Sequence, residues 1–160
     1  MSRITIFCSF LSIFFSSYLF GSTSSKLVGN WDCEPYVMNN EAYDVIVHDS
    51  PAYKANGQFL EVSKATVEYP NGFSFTFEVE LIGTWTFKSN IIDIKFEQST
   101  FLSSNSPEIN KQKGQKIADD QLVKKNWAKN EVISLGEKLQ FKAVDPMHKE
   151  ANVLITCKKA

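Results

Sequence analysis

From Lys26 onward, apolar side chains recur at every second position, the period of a half-buried β-strand and not of a helix. Leu27, Gly29, Trp31 and Cys33 share one face, with Val28, Asn30 and Asp32 on the other. Phe73, Phe75, Phe77, Val79 and Leu81 alternate with Ser74, Thr76, Glu78 and Glu80, the clearest half-buried strand in the chain. Trp85 and Phe87 alternate with Thr84, Thr86 and Lys88, and Ile92, Ile94 and Phe96 with Asp93, Lys95 and Glu97. Two further runs, Leu139-Phe141-Ala143 and Val153-Ile155-Cys157, repeat the pattern near the end. In the less regular stretch 35–55, a strand is expected over 43–48.

Turn chemistry separates these runs. Asn56-Gly57 and Asn71-Gly72, the second preceded by Pro70, predict hairpins, since Asn-Gly tolerates the positive φ of tight turns. Ser89-Asn90, Leu135-Gly136-Glu137 and Asp145-Pro146 predict further reversals. Eight or nine short strands with one apolar face each make a mainly β protein, a single antiparallel up-and-down β-barrel. One stretch interrupts the pattern. Ser106-Pro107-Glu108 has the form of a helix start, and Ala118, Leu122 and Val123, flanked by Ile117 and Trp127, predict a short amphipathic α-helix over 115–127, inserted before the last strands. Gly114 is expected to interrupt any longer helix. The lysines around it (Lys111, Lys113, Lys116, Lys124, Lys125 and Lys129) read as a solvated face, because Glu108, Asp119, Asp120 and Glu131 offset most of their charge.

The first 25 residues differ in kind. Arg3 is their only charge, an apolar run rich in Phe and Ser follows, and small residues close the segment. That layout predicts a signal peptide over 1–25, cleaved within 21–25, and an exported (periplasmic or secreted) domain over 26–160 with no integral membrane segment. Five of the 13 phenylalanines belong to this segment. Without it, 16 lysines face 18 acids, a net charge of −2, distributed as −6 over 26–100 and +4 over 101–160. Such a balance argues against a nucleic-acid partner bound through phosphate neutralisation.

Two cysteines then remain, Cys33 and Cys157, one near each end. In an exported protein they predict one structural disulfide, placed where the first and last strands of a barrel meet. They lack the spacing of a metal or thiol-redox site, and His48 and His148 are isolated. No cofactor motif is present: there is no Gly-rich phosphate loop, no His-Glu-x-x-His and no Gly-x-Ser-x-Gly. His48-Asp49-Ser50 has the letters of a triad, but adjacent strand side chains diverge, and the segment reads as a polar strand end before Pro51. Glu78 and Glu80 share a strand face, and their alternation with Phe77 and Val79 turns them to solvent.

Gly29-Asn30-Trp31-Asp32-Cys33 resembles the opening of lipocalin-like, calycin-type barrels. More specifically, the chain resembles small exported bacterial proteins with Gly-x-Trp-x-Cys near the mature start and a second Gly-x-Trp mid-chain, here Gly83-Thr84-Trp85. The resemblance implies a lipocalin-like barrel with Trp31 closing one end, a helical insertion and a closing Cys157. With no Arg in the mature chain, Lys158 is the candidate for the basic residue that covers the Trp. Most proteins of this kind have no assigned activity.

The expectation is therefore a non-enzymatic exported binding protein. In one form the barrel holds a small apolar ligand or lipid, with Trp31, Phe75, Phe77, Trp85, Phe87 and Phe96 as candidate lining or core residues. In the alternative the core is filled and the barrel is a protein-binding accessory or inhibitor module of the cell envelope. It would then present the 35–55 and 98–116 segments as loops, with Tyr36, Tyr43, Tyr53 and Phe101.

Overall fold

The computed structural model describes residues 21–39, 42–144 and 153–160. Most of the expected export segment, 1–20, lies outside the described residues, as do Asp145-Pro146 and His148. The described residues form nine strands and two helices: α1 (Gly21–Leu27), β1 (Gly29–Cys33), β2 (Tyr36–Asn39), β3 (Asp44–Tyr53), β4 (Gln58–Glu68), β5 (Ser74–Lys88), β6 (Ile91–Ser104), α2 (Lys111–Lys124), β7 (Trp127–Leu135), β8 (Lys138–Ala143) and β9 (Ile155–Lys159). The strands pair antiparallel in one sheet, in the order β1-β9-β8-β7-β6-β5-β4-β3-β2. A further pairing of β1 with β3 closes the sheet into a ring, the up-and-down barrel that the alternation predicts.

β1 and β2 are two pieces of one path along β3. Gly29 and Asn30 oppose Tyr53 and Ala52, and Tyr36 to Asn39 oppose Val47 to Asp44. Glu34 and Pro35 fall in the break. Proline has no N–H for a ladder bond, and Pro51 sits on β3 in the stretch 48–51 that faces this break. β3 thus runs through Pro51, where the sequence suggests a strand end.

Both Asn-Gly pairs form hairpins, though not as two-residue turns. Lys54 N–H bonds the Gln58 carbonyl (2.9 Å) and Gly57 N–H bonds Lys54 (3.0 Å); Tyr69, Gly72 and Phe73 repeat this arrangement. Only the glycines take positive φ, +84° at Gly57 and +83° at Gly72. Each Asn instead accepts from the backbone two residues on, Asn56 from Gln58 and Asn71 from Phe73. The tight turn with two positive φ values is Ser89-Asn90.

Phe73 belongs to a turn, 55% exposed, so β5 begins one residue later than the alternation suggests. The run ending at Leu81 and the run at Trp85 are one strand of 15 residues. Gly83 lies inside it because a Cβ there would collide with the Lys95 carbonyl, at a register shift between β5 and β6. A second shift lies between Glu78 and Val79. The two shifts skip Glu97 and Leu102 on β6, so the inward positions run Ile92, Ile94, Phe96, then Ser99, Phe101 and Ser104.

The core fills one end of the ring. Leu27, Trp31, Tyr53, Phe59, Ile92, Leu139 and the two cysteines are fully buried there, with Trp85, Ile94, Phe141 and Ile155 around them. Leu27 ends helix α1 and does not begin a strand; its carbonyl accepts the Trp31 indole N–H at 2.8 Å. Lys159, not Lys158, lies over the Trp31 ring (5.4 Å), because Trp31 opposes Lys159 in the β1–β9 register. Cys33 and Cys157 oppose each other in that register and are joined by a disulfide, their Cα atoms 3.8 Å apart.

Helix α2 begins at Lys111, capped by Asn110, whose side chain accepts from Lys113 N–H at 3.0 Å. Ser106-Pro107 forms a turn ahead of it, and Trp127 opens β7. Gly114 is inside the helix. A Cβ there would lie 2.5–2.6 Å from the Phe101 ring, so the absent side chain lets helix and sheet approach. Ala118 is buried beneath the helix, whereas Val123 is 87% exposed. Gln115 carries the docking: its amide accepts from Phe101 N–H (3.0 Å) and donates to the Ser99 carbonyl (2.8 Å), on β6 beyond the last residue paired with β7.

The disulfide closes a loop of sequence separation 124, which the chain-entropy account values at about 5 kcal/mol. Urea unfolding of a Cys33→Ala/Cys157→Ala variant should show a loss of that order. Gly114→Ala should lower the melting temperature although Ala is the better helix former, because overpacking of ~1–3 kcal/mol exceeds the propensity gain. A higher melting temperature would show that Phe101 yields freely.

Candidate functional site

Beyond the packed end the interior changes character. Paired residues in an antiparallel sheet face the same side, so the inward rows follow from the register. Tyr53 opposes Phe59, and Phe59 opposes Gly83; next come Pro51, Glu61 and Leu81, then Asp49, Ser63 and Val79, then Val47, Ala65 and Phe77. Tyr53 and Phe59 are 1% exposed, but Glu61, Ser63, Phe77, Val79 and Leu81 are only half-buried although they face inward. Here the interior is not filled. A cavity of about 260 Å³ lies between the β5–β6 wall and α2, lined by Phe77, Val79, Leu81, Phe96 and Ser99 from the sheet and Ala118, Gln121, Leu122 and Lys125 from the helix end.

Of the aromatic residues expected to line or fill the barrel, Trp31 and Trp85 lie in the packed core and Phe87 packs against it. Phe77 and Phe96 line the cavity, and Phe96 also meets Phe59 edge-on, with ring centres 6.0 Å apart. Phe75 is half-buried near the rim, in a chain of ring contacts that runs through Phe73 and Tyr69 to Tyr43. The expected presenting loops are mostly regular structure: 35–55 contains β2 and β3, and 98–116 contains the end of β6 and the start of α2. Tyr53 and Phe101 are buried, and Tyr36 is half-buried, so they form no exposed cluster. Alternating apolar positions bring the chain back to a ladder even where it holds no loop.

Two acidic residues on these inward rows, Asp49 and Glu61, are not among the lining residues expected from the sequence. Asp49 Oδ2 accepts from the Tyr36 hydroxyl at 2.8 Å, and Oδ1 from the Ser63 hydroxyl at 2.6 Å. Glu61 is one row nearer the packed end, beside Tyr53. The signal was present in the alternation: Val45, Val47, Asp49, Pro51 and Tyr53 occupy one parity of β3, and Asp49 is the acid on its apolar side. His48 faces the other way, its Nε2 2.8 Å from Asp32 Oδ1, so His48 and Asp49 diverge. Glu78 lies on the outer face and accepts from the Ser103 hydroxyl at 2.9 Å. Among the described residues, no three His, Cys, Asp or Glu side chains converge as a metal site.

Burial holds the Glu61 carboxyl well above its usual range, and the charge of Asp49 adds to the rise. Burial also raises Asp49, against its hydrogen bonds from Ser63 and Tyr36 and the charge of His48, which lower it. The Tyr36 and Tyr53 phenols are likewise pushed up by burial first and nearby carboxylates second.

No protein-family model matches this chain, and neither does any curated protein.

An acid raised in the fold binds more protons folded than unfolded. Its contribution to stability is complete below the unfolded value of about 4.3 and is lost as pH rises towards the folded one. Glu61→Gln should therefore raise the melting temperature at neutral pH and flatten its decline between pH 4.5 and 8. An unchanged slope in thermal melts across that range would remove Glu61 as its source.

Proposed function

We propose that this protein is an exported, non-enzymatic barrel that binds a small apolar ligand or lipid in the part of its interior left unfilled by the core. The observation that carries this reading is the cavity of about 260 Å³ walled by Phe77, Val79, Leu81, Phe96 and Leu122. Its size falls just below the usual range of ligand pockets, about 300–1,000 Å³, and suits one short alkyl chain or a single ring system. The lipocalin-like opening around Trp31 accords with such a role. The Cys33–Cys157 disulfide supports an oxidising compartment, as does the hydrophobic N-terminal stretch. No helix among the described residues is long and apolar enough to cross a membrane. The protein-partner reading draws less support, because the segments that would present it are strands and helix.

The test is a neutral apolar fluorophore, N-phenylnaphthylamine, titrated against the purified protein. Saturable binding is expected, competed by octanol. Leu122→Trp, which fills the cavity from the helix side, should weaken it by about tenfold or more while leaving the circular dichroism spectrum in place. No saturable binding, or binding untouched by Leu122→Trp, would count against the carrier reading.

A further inference from the structure

The cavity wall has a polar edge that an apolar ligand alone does not explain. Leu81 and Val79 line the cavity, and their cross-strand partners on the same inner face are Glu61 and Ser63. Side chains directly opposite in this way sit about 4.5–5.5 Å apart at Cβ. Asp49 and Tyr53, on β3, adjoin them in the next strand.

Within this cluster Asp49 is anchored, with one hydroxyl on each carboxylate oxygen and a lone pair remaining on each. Glu61 and the Tyr53 hydroxyl differ. Glu61 is half-buried and Tyr53 is 1% exposed, and neither side chain has a hydrogen-bond partner among the described residues. No described lysine or histidine forms an ion pair with either carboxyl; His48 is on the opposite face of β3, held by Asp32. No fully buried side-chain oxygen lacks a partner among the described residues, so the unpartnered oxygens of Glu61 and Tyr53 reach accessible space. Two unpartnered groups that reach accessible space and an anchored carboxylate, on the inward rows next to the cavity-lining Leu81 and Val79, have the form of a site that receives its partner from outside the fold.

We propose that Asp49 and Glu61 recognise a protonated amine, the head group of a small amphiphile whose apolar part occupies the cavity. This rests on the ligand-binding reading above and specifies its ligand. A primary ammonium carries three N–H donors and one positive charge; the cluster offers the free lone pairs of Asp49, the Glu61 carboxyl and the Tyr53 hydroxyl oxygen. A neutral alcohol could satisfy one acceptor without supplying the charge. A carboxylate head group would meet two acids and be repelled.

Octylammonium, octanol and octanoate share one tail and differ in the head group, so calorimetric titration of the three against the purified protein isolates the site. Octylammonium should bind about tenfold or more tighter than octanol, and octanoate weaker than octanol. Glu61→Gln and Asp49→Asn keep side-chain shape and should each bring the octylammonium-to-octanol ratio close to one. Equal affinity for octylammonium and octanol in the unsubstituted protein would overturn the amine site and leave the apolar carrier standing. So would a preference that survives both substitutions. Failure of all three probes to bind would overturn the carrier reading and the amine site with it. The comparison of probes on the unsubstituted protein decides the matter even if a variant does not fold.

Discussion

The ring depends on a strand of five residues. β1 must hydrogen-bond β3 on one side and β9 on the other, and it does so through two residue pairs and three. So short a strand can close the sheet only at one end, and there the core is complete. β5 and β6, at 15 and 14 residues, run well past that end. Their inner faces have no opposing short strand to pack against, and α2 folds over them instead. The cavity is thus a consequence of unequal strand lengths in a closed sheet. Cys33–Cys157 holds the critical register: a slip of one residue between β1 and β9 would turn Trp31 from the core to the outside.

Stability and binding capacity are accordingly separated along the barrel axis. Trp31, Phe59, Ile92 and Leu139 form a close-packed end stapled by the disulfide. One or two rows away, Asp49 and Glu61 bring charge into the interior at a cost to folding. Sequences that break a local rule in this way do so most often where function requires it, and the excess stability elsewhere offsets the loss.

Much of this architecture is legible in the sequence, because period-two alternation carries most of the information about a closed antiparallel sheet. It identifies β5 and the inward row of Trp85, Phe87, Ile92, Ile94 and Phe96, and the cysteine count gives the disulfide. What it misses has physical causes. The skipped residues Glu97 and Leu102 shift the phase of β6, so Ser99 and Phe101 point inward out of step with Ile92, Ile94 and Phe96, in a segment the sequence suggests as a loop. Gly114 reads as a helix breaker, yet its lack of a side chain serves a tertiary contact with Phe101 that a linear sequence does not display. Asp49 reads as part of a polar strand end although it shares the apolar parity of β3, and the position of Glu61 becomes evident only when cross-strand register places it beside Tyr53 and Leu81.

Gln115 has a consequence of another kind. β6 is paired with β7 only as far as Lys95, and beyond it the backbone groups of Ser99 and Phe101 would offer an open edge. The side-chain amide of Gln115 occupies both, donating to one and accepting from the other as a neighbouring strand would. A single residue on a helix thereby imitates a β-strand. It denies that edge to any second chain that could add to the sheet, and helps keep the barrel from seeding intermolecular aggregates.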